Sequence, residues 1–181
     1  MFEEWGAIEW FLLLVNIIAV TIAARFLIWK IKKKFAEVEK RQTHLRRSQH
    51  KAVSVFVMRE AETLLQRRDL SKYHTPSLWT NACCAQRRLE KELGRAGQVP
   101  VYRDTVEYHA DVGGGMIEHE VAEIYTLQVE QINIHPNPEE VMDYRWQNLK
   151  NLNNAIAEES KIFTPWLKIY LSQHSKAIFG A

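Results

Sequence analysis

The sequence predicts a mixed α/β (α+β) sandwich, a sheet flanked by helices, with a single transmembrane helix in front of it. Short segments rich in β-branched residues, such as 51–58, are interleaved with helical segments such as 149–160. Residues 101–110 and 116–129 form two long predicted strands joined by a glycine-rich turn. With 181 residues, 46% of them hydrophobic and 25% charged, the chain can build one folded domain plus an extension.

Charge and cysteine content exclude two classes of protein. The net charge of +2 is too small to indicate nucleic-acid binding, although positive charge is concentrated between Arg25 and Lys51. Cys83 and Cys84 are the only cysteines and are adjacent, so a disulfide framework is excluded. A reducing compartment is therefore expected.

The N-terminal segment has the length and flanks of a membrane anchor. Residues 10–24 carry no charge, and a helix of about 20 residues rises roughly 30 Å, the thickness of a bilayer core. A cleaved signal peptide would carry positive charge before the apolar run, and a core helix is rarely apolar on every face. Here Glu3 and Glu4 precede the run, and the lysines that follow it place the C-terminal side in the cytoplasm. Those lysines are Lys30, Lys32, Lys33 and Lys34.

The predicted organisation is an anchor with a basic end at 1–34 and a domain at 35–181, located at the inner (cytoplasmic) membrane as a single-pass protein. Further expected elements are a helical stalk at 30–43, a hairpin partner of the first strand at 62–68, and loops at 71–77 and 133–138. A helix at 85–93 is closed by Gly94, a strand follows at 141–146, and a last helix spans 165–178. Thr164 is the expected N-cap of that last helix, with Pro165 at its first position.

A carboxylate pair is the main candidate for chemistry. Glu118 and Glu120 lie two apart on a strand and share a face with the apolar residues Ala122 and Ile124. Two inward-facing carboxylates need a cation or a proton, and His44 and His50 precede the first strand, from which they could reach the same place. Such a set suits Mg²⁺, Mn²⁺ or Zn²⁺. The alternative is that these are rim residues that never meet.

Two further groups of residues have both a functional and a neutral interpretation. Basic residues near loops and a helix start suit an anionic phosphate ligand, but such residues more often form a solvated face. They are Arg67, Arg68, Lys72, Arg87 and Arg88. Cys84 could be a nucleophile or an acid, although a buried, inert cysteine is the commoner case.

Taken in order, a series of motifs resembles the type I isopentenyl-diphosphate Δ-isomerases, relatives of the Nudix hydrolases. The resemblance runs from about Val38 to Phe179. The motifs are residues 38–40 followed by His44 and His50, then 51–56, 64–68 with Lys72, 78–84 (Leu-Trp-Thr-Asn-Ala-Cys-Cys), 87–94, 108–111, 117–121 (Ile-Glu-His-Glu-Val), 138–146 and 163–166.

The resemblance implies a reaction in which an alkene is protonated on one face and deprotonated on the other, through a tertiary carbocation. It makes Cys84 and Glu120 the acid/base pair, with Tyr108 beside them and the Trp166 ring facing the cation. The implied metal ligands are His44, His50, Glu118 and Glu120, with Glu92 holding the Mg²⁺ that accompanies the diphosphate. The implied diphosphate contacts are Arg68, Lys72, Arg88 and, less surely, Lys40.

The chain departs from the family where Cys84 is followed at once by Ala85. In the family, a loop with His-Pro and then Gly-Glu separates the cysteine from the Arg-Arg helix and gives the metal a third histidine. Here that loop is absent, and the membrane span takes the place of the family's N-terminal strand. Because consecutive Cα atoms are only about 3.8 Å apart, the cysteine and the helix start must have moved together.

Two functional hypotheses follow, and the sequence leaves open whether the protein is an active enzyme. The first is a membrane-anchored isomerase converting isopentenyl to dimethylallyl diphosphate with Mg²⁺ and either Mn²⁺ or Zn²⁺; impaired catalysis is favoured because metal ligands act as a set. The second is an inactive pseudoenzyme, an accessory subunit of a membrane complex that needs no metal, for example in a carotenoid-rich or photosynthetic membrane.

Diphosphate hydrolysis of the Nudix type is a weaker hypothesis, because the Gly and Glu that begin the Nudix signature lie in the missing loop. An artefactual in-frame deletion in the sequence stays an alternative.

Overall fold

The computed structural model describes residues 6–45, 48–82, 99–130, 132 and 134–180. The chain divides into two compact units, Met1–Gln42 and Thr43–Ala181. The predicted helix at 85–93 lies outside the described residues.

The N-terminal unit is a single helix, α1 (Ala7–Leu45), which includes the predicted stalk. Its segment Ala7–Glu39 is long and apolar enough to cross a membrane, with a mean hydropathy of 2.4 and none of that window buried. Core helices and signal sequences can pass the same length and composition test, but a core helix is mostly buried. The amide of Asn16 donates to the Leu12 carbonyl at 2.8 Å and the Thr21 hydroxyl to the Ile17 carbonyl at 2.7 Å. The helix thus satisfies these polar side chains with its own backbone.

The second unit contains a six-stranded mixed sheet in the order β3-β2-β1-β5-β4, with β6 paired to β2. The strands are β1 (His50–Arg59), β2 (Glu62–Arg68), β3 (Trp79–Asn81), β4 (Val101–Gly113), β5 (Met116–Gln128) and β6 (Val141–Asn148). Strands β1 and β5 are parallel, whereas β4 and β5 form the predicted antiparallel hairpin. Its turn runs through Gly113, Gly114 and Gly115, which all have positive φ, a conformation that glycine adopts at little cost.

The prediction that β2 is the hairpin partner of β1 is only partly right. The two strands pair at Met58↔Thr63 and Arg59↔Glu62 and then separate. The neighbouring edge of β1 is occupied by residues that follow β3, since the Val55 amide donates to the Ala82 carbonyl at 3.1 Å. Strand β2 pairs instead with β3 and, along its whole length, with β6.

Three helices and a 3-10 turn follow the sheet. They are α2 (Leu149–Glu158), the turn Ser160–Ile162, α3 (Pro165–Gln173) and α4 (Ser175–Phe179). The predicted helix 165–178 is therefore interrupted at His174. Thr164 and Pro165 stand where predicted, but the Thr164 hydroxyl does not cap α3; it donates to the Thr80 hydroxyl at 3.1 Å.

The centre of the sheet is buried on both faces, whereas β4 at its edge alternates buried and exposed residues. In β1 the side chain of Phe56 belongs to one apolar cluster, and those of Val55 and Val57 belong to another. A strand covered on both sides reads as a continuous apolar run, and β1 does so from Val53 to Met58 apart from Ser54. The Phe56 cluster includes Trp166, Leu167 and Tyr170 of α3, which pack against the face that carries the candidate site.

Candidate active site

The pairing of three strands brings an imidazole, a phenol and a carboxylate together. Glu120 on β5 pairs with His50 on β1 and with Tyr108 on β4. Residues in register across a sheet point to the same face, so the three side chains meet. His50 Nε2 lies 2.8 Å from Glu120 Oε1, and the Tyr108 hydroxyl donates to Glu120 Oε2 at 2.6 Å. The alternative that these are separate rim residues is therefore wrong for this group.

Glu118 adds a second, more deeply buried carboxyl group. It is 4% exposed, and its Oε2 lies 3.3 Å from the Tyr108 hydroxyl oxygen. Burial, followed by the neighbouring charge of Glu120, raises the pKa of Glu118 to about 8. Without a cation, Glu118 keeps its proton at neutral pH, and Tyr108 bridges the two carboxyl groups. As predicted, Glu118 and Glu120 share one face of β5.

The protonation of the neighbouring groups follows from their contacts. The hydrogen bond that His50 makes to the Glu120 carboxylate raises the pKa of His50 and outweighs the opposite effect of burial. Burial raises the pKa of Tyr108, so the phenol remains neutral and able to donate. His50 and Tyr108, both with raised pKa values, therefore lie beside the carboxyl groups of Glu118 and Glu120. Such an arrangement is suited to proton transfer.

The chemistry of this donor set fits a divalent cation. Two carboxyl groups and an imidazole are ligands for Mg²⁺, Mn²⁺ or Zn²⁺, and a cation would replace the proton that Glu118 now holds. Within the described ranges, no group of three or more His, Cys, Asp or Glu side chains is arranged as a ready-made metal site. Two predicted ligands, Glu92 and the side chain of His44, lie outside the described part of the chain.

Trp166 borders the cluster and is held in a fixed orientation. It is 4% exposed, and its indole Nε1 donates to the Thr80 hydroxyl at 2.8 Å. The guanidinium carbon of Arg68 lies 5.2 Å from the centre of the indole ring. The ring face thus interacts with the positive charge of a protein side chain, and its role towards a carbocation stays a prediction.

Arg68 retains an unused hydrogen-bond donor. The pairing of β2 with β6 shifts register between Arg67 and Arg68, a bulge of the kind that redirects a side chain. One Nη of Arg68 donates to the His74 carbonyl at 3.3 Å, whereas its buried Nε has no partner among the described residues. A buried donor without a partner is unfavourable, so an anionic ligand at this point would stabilise the site.

Lys72, the second predicted diphosphate residue, is paired with a carboxylate. Its ammonium contacts Glu140, and both side chains are about three-quarters buried. A phosphate ligand would have to compete with Glu140 for this cation. Lys40 belongs to the N-terminal unit and its side chain is not described, and Cys84 and Arg88 also lie outside the described residues.

Two residues of the site were missed from the sequence. Thr80 lies in the middle of the Leu-Trp-Thr-Asn motif and orients Trp166. His74 lies in the predicted loop 71–77, yet it is 7% exposed and its Nε2 lies 3.4 Å from Glu118 Oε1. The only available signal was its position between two motifs of the resemblance, 64–68 with Lys72 and 78–84.

Comparison with known proteins first defines the class. Residues 48–167 match the NUDIX domain. The MutT protein from Methanosarcina mazei Go1 has the same fold, with a TM-score of 0.55 at 14% identity over 71% of this chain and 94% of that one. A MutT NUDIX hydrolase from Burkholderia pseudomallei gives 0.52 at 19% identity, over 70% and 98%.

The more specific comparison is with isopentenyl-diphosphate Delta-isomerases. The protein of that name from Dinoroseobacter shibae is 49% identical, over 79% of this chain and 89% of its own length. The one from Cereibacter sphaeroides ATCC 17025 is 48% identical, over 79% and 88%. The chain belongs to the isopentenyl-diphosphate Δ-isomerase family, within the Nudix fold.

Proposed function

We propose that this protein is a membrane-anchored isopentenyl-diphosphate Δ-isomerase-like protein whose catalysis is impaired by the loss of a metal-binding loop. The reaction would convert isopentenyl diphosphate into dimethylallyl diphosphate. The observation that carries the proposal is the group of His50, Tyr108, Glu118 and Glu120 on one sheet face, with Trp166 at its border.

The reaction needs a proton donor and a proton acceptor on opposite faces of an alkene. Protonation of the terminal CH₂ gives a tertiary carbocation, and loss of a proton from the neighbouring CH₂ forms the new double bond. By family resemblance, Cys84 and Glu120 would perform these two steps. The short Tyr108–Glu120 hydrogen bond supports a role for Tyr108 in moving the proton at Glu120 Oε2.

A cationic intermediate needs stabilisation that water does not supply in a closed site. The Trp166 face is suited to this task because its indole N–H is anchored by Thr80 and its ring already lies beside a guanidinium. Arg68 would then use its unpartnered Nε on the diphosphate. Lys72, Arg88 and Lys40 are further candidates for the diphosphate.

The metal would be held by His50, Glu118 and Glu120, together with His44, and Glu92 would hold a Mg²⁺ on the diphosphate. When bound, Mn²⁺ or Zn²⁺ would keep Glu118 deprotonated and fix the carboxylates, and Mg²⁺ would neutralise the diphosphate. The support from this chain is the adjacent pair of carboxyl groups, one of which has its pKa raised to about 8 by burial and by the charge of the other.

The shortened loop is supported by the alignment with relatives. The match to the Dinoroseobacter protein extends over 156 positions, yet 79% of 181 residues is about 143. About 13 aligned positions therefore have no residue in this chain. A gap of that size agrees with a loop lost between Cys84 and Ala85. Because a misplacement of about 1 Å can already cost two orders of magnitude in rate, a slow enzyme is the expected result.

Membrane anchoring is supported by α1. Its apolar segment is exposed on every side within the chain, and four lysines at 30–34 follow the uncharged run. An exposed apolar helix of this length is soluble only when lipid or protein covers it. The domain would therefore act on the cytoplasmic surface of the inner membrane.

The test is solvent-proton exchange by the full-length protein in detergent micelles. Isopentenyl diphosphate is incubated in D₂O with Mg²⁺ and Mn²⁺, and deuterium incorporation is followed by ¹H NMR. We expect slow incorporation at the allylic CH₂ that Glu120→Gln abolishes. No incorporation by the wild-type protein above the level of the Glu120→Gln variant would refute catalysis.

Total absence of exchange would favour the second candidate, an inactive accessory subunit of a membrane complex. The observation that favours it is the combination of an apolar helix with a shortened catalytic segment. It predicts that the protein solubilised in a mild detergent migrates in an assembly much larger than its 21.2 kDa chain. Migration as a single chain would contradict it.

A further inference from the structure

The loop between β2 and β3 holds an unfavourable backbone conformation. Thr75 and Ser77, on either side of Pro76, have φ of 46° and 64°, in the left-handed region that residues with a side chain rarely adopt. Such conformations persist only where the surroundings enforce them, and they concentrate at functional sites.

The last two residues of β2 enforce this loop conformation. Arg67 donates to the Ser77 carbonyl at 3.0 Å and to its hydroxyl at 2.8 Å. The backbone of Arg68 binds the C-terminal end of the loop, accepting from the Ser77 amide and donating to the Leu78 carbonyl, each at 3.0 Å. The loop is therefore rigidly tied to the strand that carries Arg68.

The result of this enforced conformation is the burial of one imidazole. His74 lies edge-on to Trp166, with 5.9 Å between the ring centres, and its carbonyl accepts from Arg68. Nδ1 is 3.0 Å from the Thr75 hydroxyl, and Nε2 is 3.4 Å from Glu118 Oε1. A hydroxyl that donates to Nδ1 leaves the ring proton on Nε2, facing Glu118.

The two oxygens of Glu118 have different neighbours. Oε2 faces Tyr108 and, through it, Glu120, whereas Oε1 faces His74. His74 thus contacts the Glu118 oxygen other than the one beside Tyr108. A residue that holds one oxygen of a carboxylate ligand is suited to orienting that ligand.

We propose that His74 is a positioning residue that donates its Nε2–H to Glu118 Oε1 and thereby presents Oε2 to Tyr108 and to a divalent cation. The part that concerns the cation rests on the proposed function. The contact itself does not, because it exists between two protein side chains. The Thr75 and Ser77 conformations are the structural cost of placing the imidazole there.

The experiment uses the full-length protein in detergent micelles with Mn²⁺ alone as the probe. Free Mn²⁺ is measured by EPR for the wild type, His74→Ala, His74→Gln and the control His109→Ala, whose exposed ring stacks on His119 outside the site. We expect His74→Ala to weaken Mn²⁺ binding about 10- to 100-fold, the usual loss for a residue that supports a ligand. His74→Gln, which retains an N–H donor, should recover part of that affinity, and His109→Ala should match the wild type.

A purely structural role would lower the thermal stability of both His74 variants without the partial recovery of affinity by Gln. Equal Mn²⁺ affinity in the wild type and His74→Ala would overturn the proposal. A second measurement is independent of metal: ¹⁵N NMR of the metal-free protein should show His74 as the Nε2–H tautomer. The Nδ1–H tautomer would overturn the contact, whereas a wild type that binds no Mn²⁺ but has the Nε2–H tautomer would refute only the metal-dependent function.

Discussion

Replacing the ionisable carboxyl group of Glu118 by an amide should stabilise the metal-free protein. Burial raises the pKa of Glu118 from 4.5 to about 8, so folding at neutral pH forces this group to take up a proton that the unfolded chain lacks. Glu118→Gln has nearly the same shape and no charge. It can still accept a hydrogen bond at the amide oxygen, so the substitution removes the penalty while keeping much of the packing.

The magnitude follows from the pKa shift. A shift of about 3.5 units, at about 1.4 kcal/mol per unit, corresponds to an upper limit near 5 kcal/mol once the native carboxyl is fully ionised. Water entry and relaxation on ionisation reduce such penalties, and the Tyr108 contact weakens in the amide. We therefore expect a gain of about 2 kcal/mol at pH 8.5, or roughly 4 to 8 °C in Tm.

The gain in stability from Glu118→Gln depends on pH. A raised folded pKa means that the contribution of Glu118 to stability is greatest below pH 4.5 and declines as the pH rises towards 8. The raised pKa of His50 acts in the same direction above pH 6.5 in both proteins. Its main cause is the hydrogen bond to Glu120 and the charge of Glu118 is its smallest cause, so the difference between wild type and variant reports chiefly on Glu118. The gain should thus be small at pH 4.5 and grow towards pH 8.5.

The assay is thermal unfolding by circular dichroism of the full chain in detergent with EDTA, from pH 4.5 to 8.5. Saturating Mn²⁺ should reverse the order, because the wild type gains free energy from binding and the variant loses a ligand. A variant that is less stable than the wild type at pH 8.5 in EDTA, or a difference that does not change with pH, would refute a buried, protonated Glu118.

Three other substitutions test the supports of the site and the anchor. Thr80→Val leaves the Trp166 indole N–H and the Thr164 hydroxyl without their acceptor, so it should lower the free energy of unfolding in urea by about 1–3 kcal/mol. Thr80→Ser should lower it less, and equal losses for the two variants would contradict the hydrogen-bond argument. Arg68→Lys should raise KM for isopentenyl diphosphate at least tenfold, because an ammonium cannot match the fork of a guanidinium; an unchanged KM in steady-state kinetics would exclude Arg68 from the diphosphate site. Ile18→Arg places a charge in the apolar part of α1, at a cost of about 2.5–3.5 kcal/mol for membrane insertion, and should release the protein from membranes in an alkaline carbonate wash. Ile18→Leu should stay bound, and retention of both variants would argue against a span.

Patterns of neighbouring residues were sufficient to predict most of the strands and helices. The β-branched run of β1 and the glycines after β4 were interpreted correctly because both signals arise from adjacent residues. The partners of β2 were not predictable in the same way. A two-residue link favours a hairpin, but Ala82 competes for the edge of β1, and that competition depends on residues more than 20 positions apart.

The carboxylate pair of the site was visible in the sequence because a strand alternates its faces. Alternation places Glu118 beside Glu120 and opposite to His119, and the structure has them so. The roles of Cys84, Arg88 and Glu92 remain predictions, since these residues lie outside the described part of the chain.

By itself, the sequence determined the family, because its motifs follow one another in order along the chain. It also determined the apolar N-terminal helix and the facing pair of Glu118 and Glu120, because each depends on spacing within one segment. Only the tertiary structure decided that His50 and Tyr108 meet Glu120, that Arg68 lies against Trp166, and that His74 faces Glu118. These contacts depend on strand register, on a bulge in β2 and on a strained loop. Such features are fixed by packing between distant segments, and no local pattern encodes them.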